Sequence, residues 1–170
     1  MIKFCNLYSG SSGNSTYIET STTKLLIDAG VSCQKISRAL ESLNSSLSTI
    51  NGILISHEHS DHIKGIEVIA KKFSTPIYAT PKTWKVMEKL NIPPNLKRIF
   101  NANEKFILGD IEILPFSIPH DAADPCGFNL FYNSKKITVA TDIGHIDETL
   151  IKKMYASNIL LIESQSSCLI

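Results

Sequence analysis

Long apolar runs are absent from the sequence. A run such as Ile159-Leu160-Leu161-Ile162 has the length of a strand and is far too short to cross a bilayer. The first residues, Met1-Ile2-Lys3-Phe4-Cys5-Asn6, lack the basic stretch, the apolar segment and the small-residue cleavage site of a signal peptide. We therefore expect a cytoplasmic protein without a membrane segment.

An excess of charge of either sign is also lacking. The 170 residues carry 17 basic and 16 acidic side chains, which gives a net charge of +1. No overall field attracts nucleic acid or an anionic membrane, so contact with either requires a local patch. Hydrophobic residues make up 43% and charged residues 19% of the chain. This composition excludes a largely disordered chain and predicts a single domain over residues 1–170.

Cysteine pairs at close spacing are missing as well. The chain contains Cys5, Cys33, Cys126 and Cys168, which are far apart and form no Cys-x-x-Cys motif. In a chain of cytosolic character they are predicted to be free thiols. We therefore do not expect disulfides to hold the fold together.

Strand and helix patterns alternate along the chain. Apolar runs predict strands at 24–27, 53–55, 111–114 and 138–140. Helical spacing predicts helices after Ser32, after residue 62, after Thr80-Pro81 and at about 147–155. Hairpin signals such as Gly109-Asp110 are mixed with this alternation. Together these patterns predict an α/β protein that is built in layers around a mixed sheet.

The histidines are concentrated in one place. Three of the five fall within six residues, in His57-Glu58-His59-Ser60-Asp61-His62. This segment directly follows the predicted strand 53–55, and ligands of open α/β sheets bind at that carboxyl edge. Residues two apart in an extended segment point the same way, so His57 and His59 can share one ion while Asp61 and His62 face a second position. Polar loop residues, with a helix cap at Asp61, are the alternative; the clustering favours a metal site.

Two further candidates follow other predicted strands. His120 comes after strand 111–114 and by itself is either a ligand or a surface residue. It can supply the third protein ligand that His57 and His59 need, because catalytic zinc has three protein ligands and an open position. Asp142 follows strand 138–140, where we favour a carboxylate that bridges two cations over an ordinary turn aspartate.

These residues resemble the motifs of the metallo-β-lactamase-fold hydrolases. The segment from His57 to His62 matches the defining motif of that family, His120 its next histidine and Asp142 its bridging aspartate. Residues 7–15, LYSGSSGNS, and 26–30, LIDAG, resemble the YycJ/WalJ-like branch of bacterial proteins. The resemblance implies an α/β fold, a metallo-β-lactamase-like αββα sandwich, of which this chain holds the N-terminal half and part of the second half.

The resemblance also implies a set of metal ligands. It assigns His57, His59 and His120 to a first metal, and Asp61, His62 and Asp142 to a second, with Asp142 shared. Complete members of the family bind two divalent metal ions; we expect zinc, with manganese and iron as alternatives. Asp61 is implied as the catalytic residue, which orients a metal-activated water and takes its proton. Aspartate at position 142 argues against penicillin cleavage, because some lactam-cleaving relatives have cysteine there.

One element of the family pattern has no match. A further histidine, beyond the counterpart of strand 158–163, is absent from the final residues 165–170. We therefore expect a chain that is truncated at its C-terminus and a second metal site that is weakened. His145 is not part of the pattern, and its role stays open between a surface residue and a contact to the second metal or to a substrate phosphate.

The resemblance implies a metal-dependent hydrolase of phosphodiester bonds, nuclease-like, with DNA or RNA as substrate. Two alternatives stay open: an inactive fragment that binds at most one metal, and a thioester or ester hydrolase of the glyoxalase type. The loop from Ser9 to Ser15 is either a phosphate-binding loop or an ordinary tight turn. The oligomeric state does not follow from the sequence.

Overall fold

The computed structural model describes residues 1–164, which form two β-sheets. The strands of the first sheet are β1 Lys3–Tyr8, β2 Ser15–Glu19, β3 Lys24–Ile27, β4 Gly52–Leu54, β5 Ile77–Ala79 and β6 Lys97–Ile99. Those of the second are β7 Phe106–Leu108, β8 Ile111–Ser117, β9 Cys126–Tyr132, β10 Lys135–Ile143 and β11 Ile159–Ser164. The strand order is β1-β2-β3-β4-β5-β6 in the first sheet and β11-β10-β9-β8-β7 in the second.

Helices connect the parallel strands. The α-helices are α1 Cys33–Ser42, α2 Ser60–Ile63, α3 Ile66–Phe73, α4 Pro81–Val86 and α5 Glu148–Met154, and short 3₁₀ turns lie at Leu47–Thr49, Met87–Lys89 and Pro94–Leu96. Strands β3 to β6 pair in parallel, as do β10 and β11, because a helix carries the chain back between them. The remaining pairs, β1 with β2, β2 with β3 and β7 to β10, are antiparallel.

Three apolar clusters show how the layers stack. One lies between the sheets and joins residues such as Ile18 and Leu25 of the first to Ile113 and Phe128 of the second. Another packs α1, α3 and α4 against the outer face of the first sheet, and the third packs α5 against the second. The order of layers is helix, sheet, sheet, helix, so the predicted α/β class and αββα sandwich are confirmed.

The structure departs from the sequence pattern in two places. Strand β6 was not predicted, because Lys97-Arg98-Ile99 lies at the edge of the first sheet with its side chains partly in solvent and shows no apolar alternation.

The apolar face at 63–73 belongs to two helices, α2 and α3, which meet at Gly65. The Gly65 N–H donates to the carbonyl of Ala29 at 2.8 Å. A Cβ at Gly65 would meet the Val31 carbonyl at 2.5 Å, so this close packing requires glycine.

Three other predictions concern membrane helices, thiols and the C-terminus. None of the helices within residues 1–164 is both long and apolar enough to cross a bilayer. Cys5, Cys33 and Cys126 are free thiols, as predicted. Residues 165–170 lie outside the described residues. They include Cys168, and the expected C-terminal truncation was inferred from them.

Replacing Phe128 by alanine is expected to destabilise the fold strongly. The Phe128 side chain is fully buried between the sheets, and its ring meets that of Phe100 edge-on with centroids 5.6 Å apart. Removing such a ring leaves a cavity that lowers the free energy of unfolding by about 3–5 kcal/mol. Urea unfolding of Phe128→Ala measures this loss, and Phe131→Ala, at a half-buried position of the same strand, is the control with a clearly smaller loss. Equal losses would contradict the packing described.

Candidate metal centre

Three segments bring the candidate side chains together at strand ends. The chain leaves β4 and reaches His57 and His59, leaves β8 and reaches His120, and carries Asp142 near the end of β10. A backbone hydrogen bond from the Cys126 N–H to the Ser56 carbonyl, 3.0 Å long, ties the second sheet to the first at this point. The site therefore lies where both sheets end, and this hydrogen bond holds the two sheets together beside it.

The rings of His57, His59 and His120, called here the histidine triad, face one another. His57 Nε2 lies 3.1 Å from His59 Nδ1, and His120 Nε2 lies 3.2 Å from both atoms. A tetrahedral zinc ion at ~2.0–2.1 Å from each ligand needs nitrogens about 3.3 Å apart. The donor set of the triad therefore fits one divalent cation.

Burial keeps two members of the triad, His57 and His120, in the form that binds cations. His57 is fully buried, and this burial, together with the neighbouring histidines, lowers the pKa of His57 to about 2. Burial also lowers the pKa of His120. Neutral imidazoles present a lone pair on one ring nitrogen, and here the nitrogens of three rings point at one another. A cation is the partner that can satisfy all three at once.

A second group of ligand atoms, called here the mixed cluster, consists of His57, His62 and Asp142. His62 Nε2 lies 2.7 Å from Asp142 Oδ2, and His57 Nε2 lies 3.8 Å from the same oxygen. The hydrogen bond from His62 lowers the pKa of Asp142 to about 2. The Asp61 carboxylate lies at the border of this cluster, with Oδ2 3.6 Å from His62 Nε2. All six candidate residues from the sequence thus meet in one region, and His57 belongs to both groups of ligand atoms.

Asp28, which the sequence analysis did not select, is the buried support of this site. Its carboxylate accepts hydrogen bonds from the Ser56 N–H at 2.8 Å and the Ser56 hydroxyl at 2.7 Å. The oxygen that accepts from the Ser56 hydroxyl, Oδ2, also lies 2.8 Å from His62 Nδ1. This contact directs His62 Nε2 toward Asp142, as carboxylates behind histidine ligands do. Burial alone lowers the pKa of His62, but the carboxylates of Asp28 and Asp142 outweigh it and raise this pKa to about 10.

The sequence held one signal for Asp28: a carboxylate directly after the apolar strand 24–27. Its backbone has φ +60°, a conformation that costs energy in a residue other than glycine. That conformation turns the side chain back under the histidine segment. A sequence pattern does not reveal such a turn.

Asn14 ties the loop after β1 to the same site. Its side-chain oxygen accepts from the Gly10 N–H at 3.0 Å, while its amide nitrogen lies 3.0 Å from His62 Nε2 and 3.5 Å from Asp61 Oδ2. The Asn14 N–H also donates to the Asp61 carbonyl at 2.7 Å. The small-residue loop is therefore attached to the candidate ligands rather than being a remote turn.

Glu58 connects the histidine segment to the loop that carries His120. Its Oε1 accepts from the Ala123 N–H at 2.7 Å. This contact bridges the first and second sheets beside the histidine triad. Glu58 was quoted in the motif but given no role from sequence, because the contact depends on a loop 65 residues away.

A cavity of about 340 Å³, called here the ligand cavity, opens beside the carboxylates. Its lining consists of Gly10, Ser11, Asp61, Asp142, Glu163 and Ser164. The Glu163 carboxylate accepts a hydrogen bond from the Ser9 hydroxyl. Burial and the nearby Asp142 raise the pKa of Glu163. The ligand cavity therefore gives a small molecule or chain access to the acidic side of the site.

Two candidates considered in the sequence lie outside both ligand groups. His145 is exposed and belongs to neither group of converging ligand atoms within residues 1–164. Cys126 is buried, and that burial raises the pKa of its thiol to about 12. A thiol with such a pKa is a poor thiolate donor at neutral pH.

Comparison with known proteins agrees with this geometry. The model of the beta-lactamase superfamily domain matches residues 23–167. Exodeoxyribonuclease YycJ of Bacillus anthracis is 39% identical over 165 residues, which are 96% of this chain and 62% of that protein. Exodeoxyribonuclease WalJ of Streptococcus pneumoniae is 40% identical over 152 residues, 87% of this chain and 56% of that protein. This chain thus spans less than two thirds of the length of both relatives.

A solved structure shares the fold. Zinc-bound PqqB from Methylobacterium extorquens superposes with a TM-score of 0.74 at 16% sequence identity, over 88% of this chain and 59% of that one. At this identity the likeness concerns the fold alone. The similarity to YycJ and WalJ confirms the resemblance drawn from residues 7–15 and 26–30. Since the family match extends over most of the sequence, this chain belongs to the beta-lactamase superfamily.

Proposed function

We propose that this chain forms the metal-binding part of a hydrolase that cleaves phosphodiester bonds in nucleic acid, with DNA as the substrate. The observation that carries the proposal is the convergence of the three triad nitrogens at 3.1 to 3.2 Å. The two curated relatives are named exodeoxyribonucleases, which supports DNA over RNA. Residues 1–170 are proposed to act as a single domain.

The proposed ligands are those expected from the sequence. His57, His59 and His120 hold a first divalent cation, and Asp61, His62 and Asp142 hold a second, with Asp142 shared between them. Imidazole and carboxylate donors suit zinc, and also manganese and iron; zinc is the ion we propose. Such cations, when bound, polarise a phosphoryl oxygen and lower the pKa of a coordinated water.

The chain itself supplies the proton acceptor and its orientation. Asp61 lines the ligand cavity and its side chain is 29% exposed, so it can reach an attacking water. In this proposal Asp61 orients that water and takes its proton on a carboxylate oxygen. Asn14 restrains Asp61 through its side-chain amide and its backbone N–H. Asp28 contacts the Nδ1 side of His62 and so keeps Nε2 directed toward Asp142, where the two residues would hold the cation.

We also propose that the protein works in the cytoplasm. The free thiols of Cys5, Cys33 and Cys126 support a reducing compartment. A nucleic-acid substrate is consistent with the same location.

Removing metal and restoring it tests the proposed function. Purified chain, treated with a chelator and then reloaded with zinc or manganese, is expected to hydrolyse single-stranded DNA and bis(p-nitrophenyl) phosphate only when reloaded. Bound ions are counted by mass spectrometry in parallel. His145→Ala, which changes a histidine outside both ligand groups, is the matched control and should keep its metal and its activity.

Three other results would contradict the proposal. Preference for RNA would change the substrate, and hydrolysis of a glutathione thioester without cleavage of either nucleic acid would favour a glyoxalase-type enzyme. Bound metal with no turnover of any of these substrates would favour an inactive fragment.

A further inference from the structure

A second cavity, called here the loop cavity, adjoins the ligand cavity. It has a volume of about 420 Å³, and its lining consists of Ser11, Ser12, Gly30, Lys35, Ser60, Asp61 and Lys64. Ser11 and Asp61 line both cavities. A chain bound at the candidate metal centre can therefore continue from one cavity directly into the other.

The wall of the loop cavity next to the metal centre is a tight turn. The Gly13 N–H donates to the Gly10 carbonyl at 2.9 Å, which leaves Ser11 and Ser12 as the two central residues. Both are exposed. Among residues 1–164, no hydrogen bond uses the hydroxyl or the backbone N–H of either serine. Within residues 1–164, these four donors therefore have no protein partner, and donors of this kind can bind an anion.

The lining of the loop cavity also includes two lysines. Lys35, in the first turn of α1, and Lys64, after α2, are both exposed. Other surface lysines, such as Lys71 with Glu67 and Lys105 with Glu112, pair with a carboxylate at 2.7 Å. Within the described part of the chain, no carboxylate pairs with Lys35 or Lys64. Their charges are therefore available to an anion in the loop cavity.

The turn is held rigidly in place. A Cβ at Gly13, where φ is +141°, would lie 2.5 Å from the Gly30 carbonyl oxygen, and one at Gly30 would lie 1.5 Å from the Asp61 carbonyl oxygen. The three backbone segments are thus in direct contact, and Asn14 adds hydrogen bonds to Gly10 and Asp61. The serine donors are consequently fixed relative to the candidate ligand Asp61.

We propose that the loop cavity is a subsite for a second phosphate of the nucleic-acid strand, one nucleotide away from the phosphate that is cleaved. This inference rests on the proposed function. Ser11 and Ser12 donate to the phosphate oxygens, and Lys35 and Lys64 neutralise its charge. Asp61 is the one carboxylate in the lining, and the cation that it is proposed to bind offsets its repulsion. The phosphate is either internal to the strand or the terminal phosphate at its 5′ end.

The test compares substrates with one and with several phosphates. In the double variant Lys35→Ala/Lys64→Ala, we expect KM for oligothymidylate to rise about tenfold, because charge-assisted contacts are lost. Hydrolysis of bis(p-nitrophenyl) phosphate, which has a single phosphate, should stay within twofold of the unchanged chain. The control Lys85→Ala/Lys89→Ala removes the same charge from exposed positions that line neither cavity.

Oligothymidylate with and without a 5′-phosphate distinguishes the two sources. If the tenfold effect needs the 5′-phosphate, the loop cavity binds the strand terminus; if it persists without one, the loop cavity binds an internal phosphate. A KM change equal to that of the control, or an equal loss on bis(p-nitrophenyl) phosphate, would overturn the proposal.

A binding measurement decides the matter even if the chain cleaves neither substrate, which would defeat the proposed function alone. Fluorescence anisotropy follows binding of labelled oligothymidylate to the chain at several salt concentrations. Loss of one neutralised phosphate should reduce the slope of log affinity against log salt by about 0.7. An unchanged slope, with unchanged melting temperature, would exclude the subsite.

Discussion

A His59→Ala variant is expected to lose the cation of the histidine triad. The Nδ1 atom of His59 lies 3.1 Å from His57 Nε2 and 3.2 Å from His120 Nε2. Removing the His59 side chain therefore leaves two protein ligands where a catalytic ion needs three. Removing a residue that only hydrogen-bonds to a metal ligand costs roughly 10–100-fold in metal affinity or activity. Loss of a direct ligand should exceed this range, both in metal affinity and in hydrolysis of bis(p-nitrophenyl) phosphate.

Metal content is the primary measurement for this variant, because it does not depend on the substrate. His59 is only partly buried, so the variant should fold, and its circular dichroism should match that of the unchanged chain. His145→Ala provides the matched histidine control. A His59→Ala protein that keeps its full metal content would refute the ligand assignment.

An Asp28→Asn variant is expected to bind metal about 10–100-fold more weakly, although Asp28 belongs to neither ligand group. The carboxylate receives two hydrogen bonds from Ser56 and contacts His62 Nδ1. Asparagine has the same shape but only one acceptor oxygen. Its NH₂ group therefore faces a donor on Ser56 or His62, and the ring of His62 is no longer held in one orientation.

The same substitution should lower the free energy of unfolding by about 1–3 kcal/mol, because a buried donor loses its acceptor. Competition with a chelating dye measures the affinity for zinc, and urea unfolding of the metal-free chain measures stability. Asp124→Asn, where the carboxylate meets Lys82 at 3.9 Å near the surface, is the control and should change neither. Weaker folding with unchanged zinc affinity would make Asp28 a structural residue and not a support for the metal site.

The sequence by itself determined the layered α/β fold and the region of the site. Apolar runs of strand length and amphipathic spacing are local properties, so strands such as 24–27 and 111–114 could be predicted from neighbouring residues alone. The segment from His57 to His62 was equally local, since its spacing within six residues already limits where the side chains can go. His120 and Asp142 were candidates because each follows a predicted strand, but these strands belong to the second sheet, and only the tertiary structure brings their ends to the end of the first.

Tertiary structure decided which groups surround those ligands. Asp28 lies 34 residues from His62, Asn14 lies 48 residues from it, and Glu58 lies 65 residues from Ala123. Each contact depends on how far a loop turns back, as with the positive φ of Asp28, and no residue pattern encodes that distance. The loop cavity arose in the same way, because Lys35, Lys64 and the serine turn belong to separate segments. Local sequence determines which elements form and how their side chains alternate, whereas long-range packing determines which side chains share a cavity.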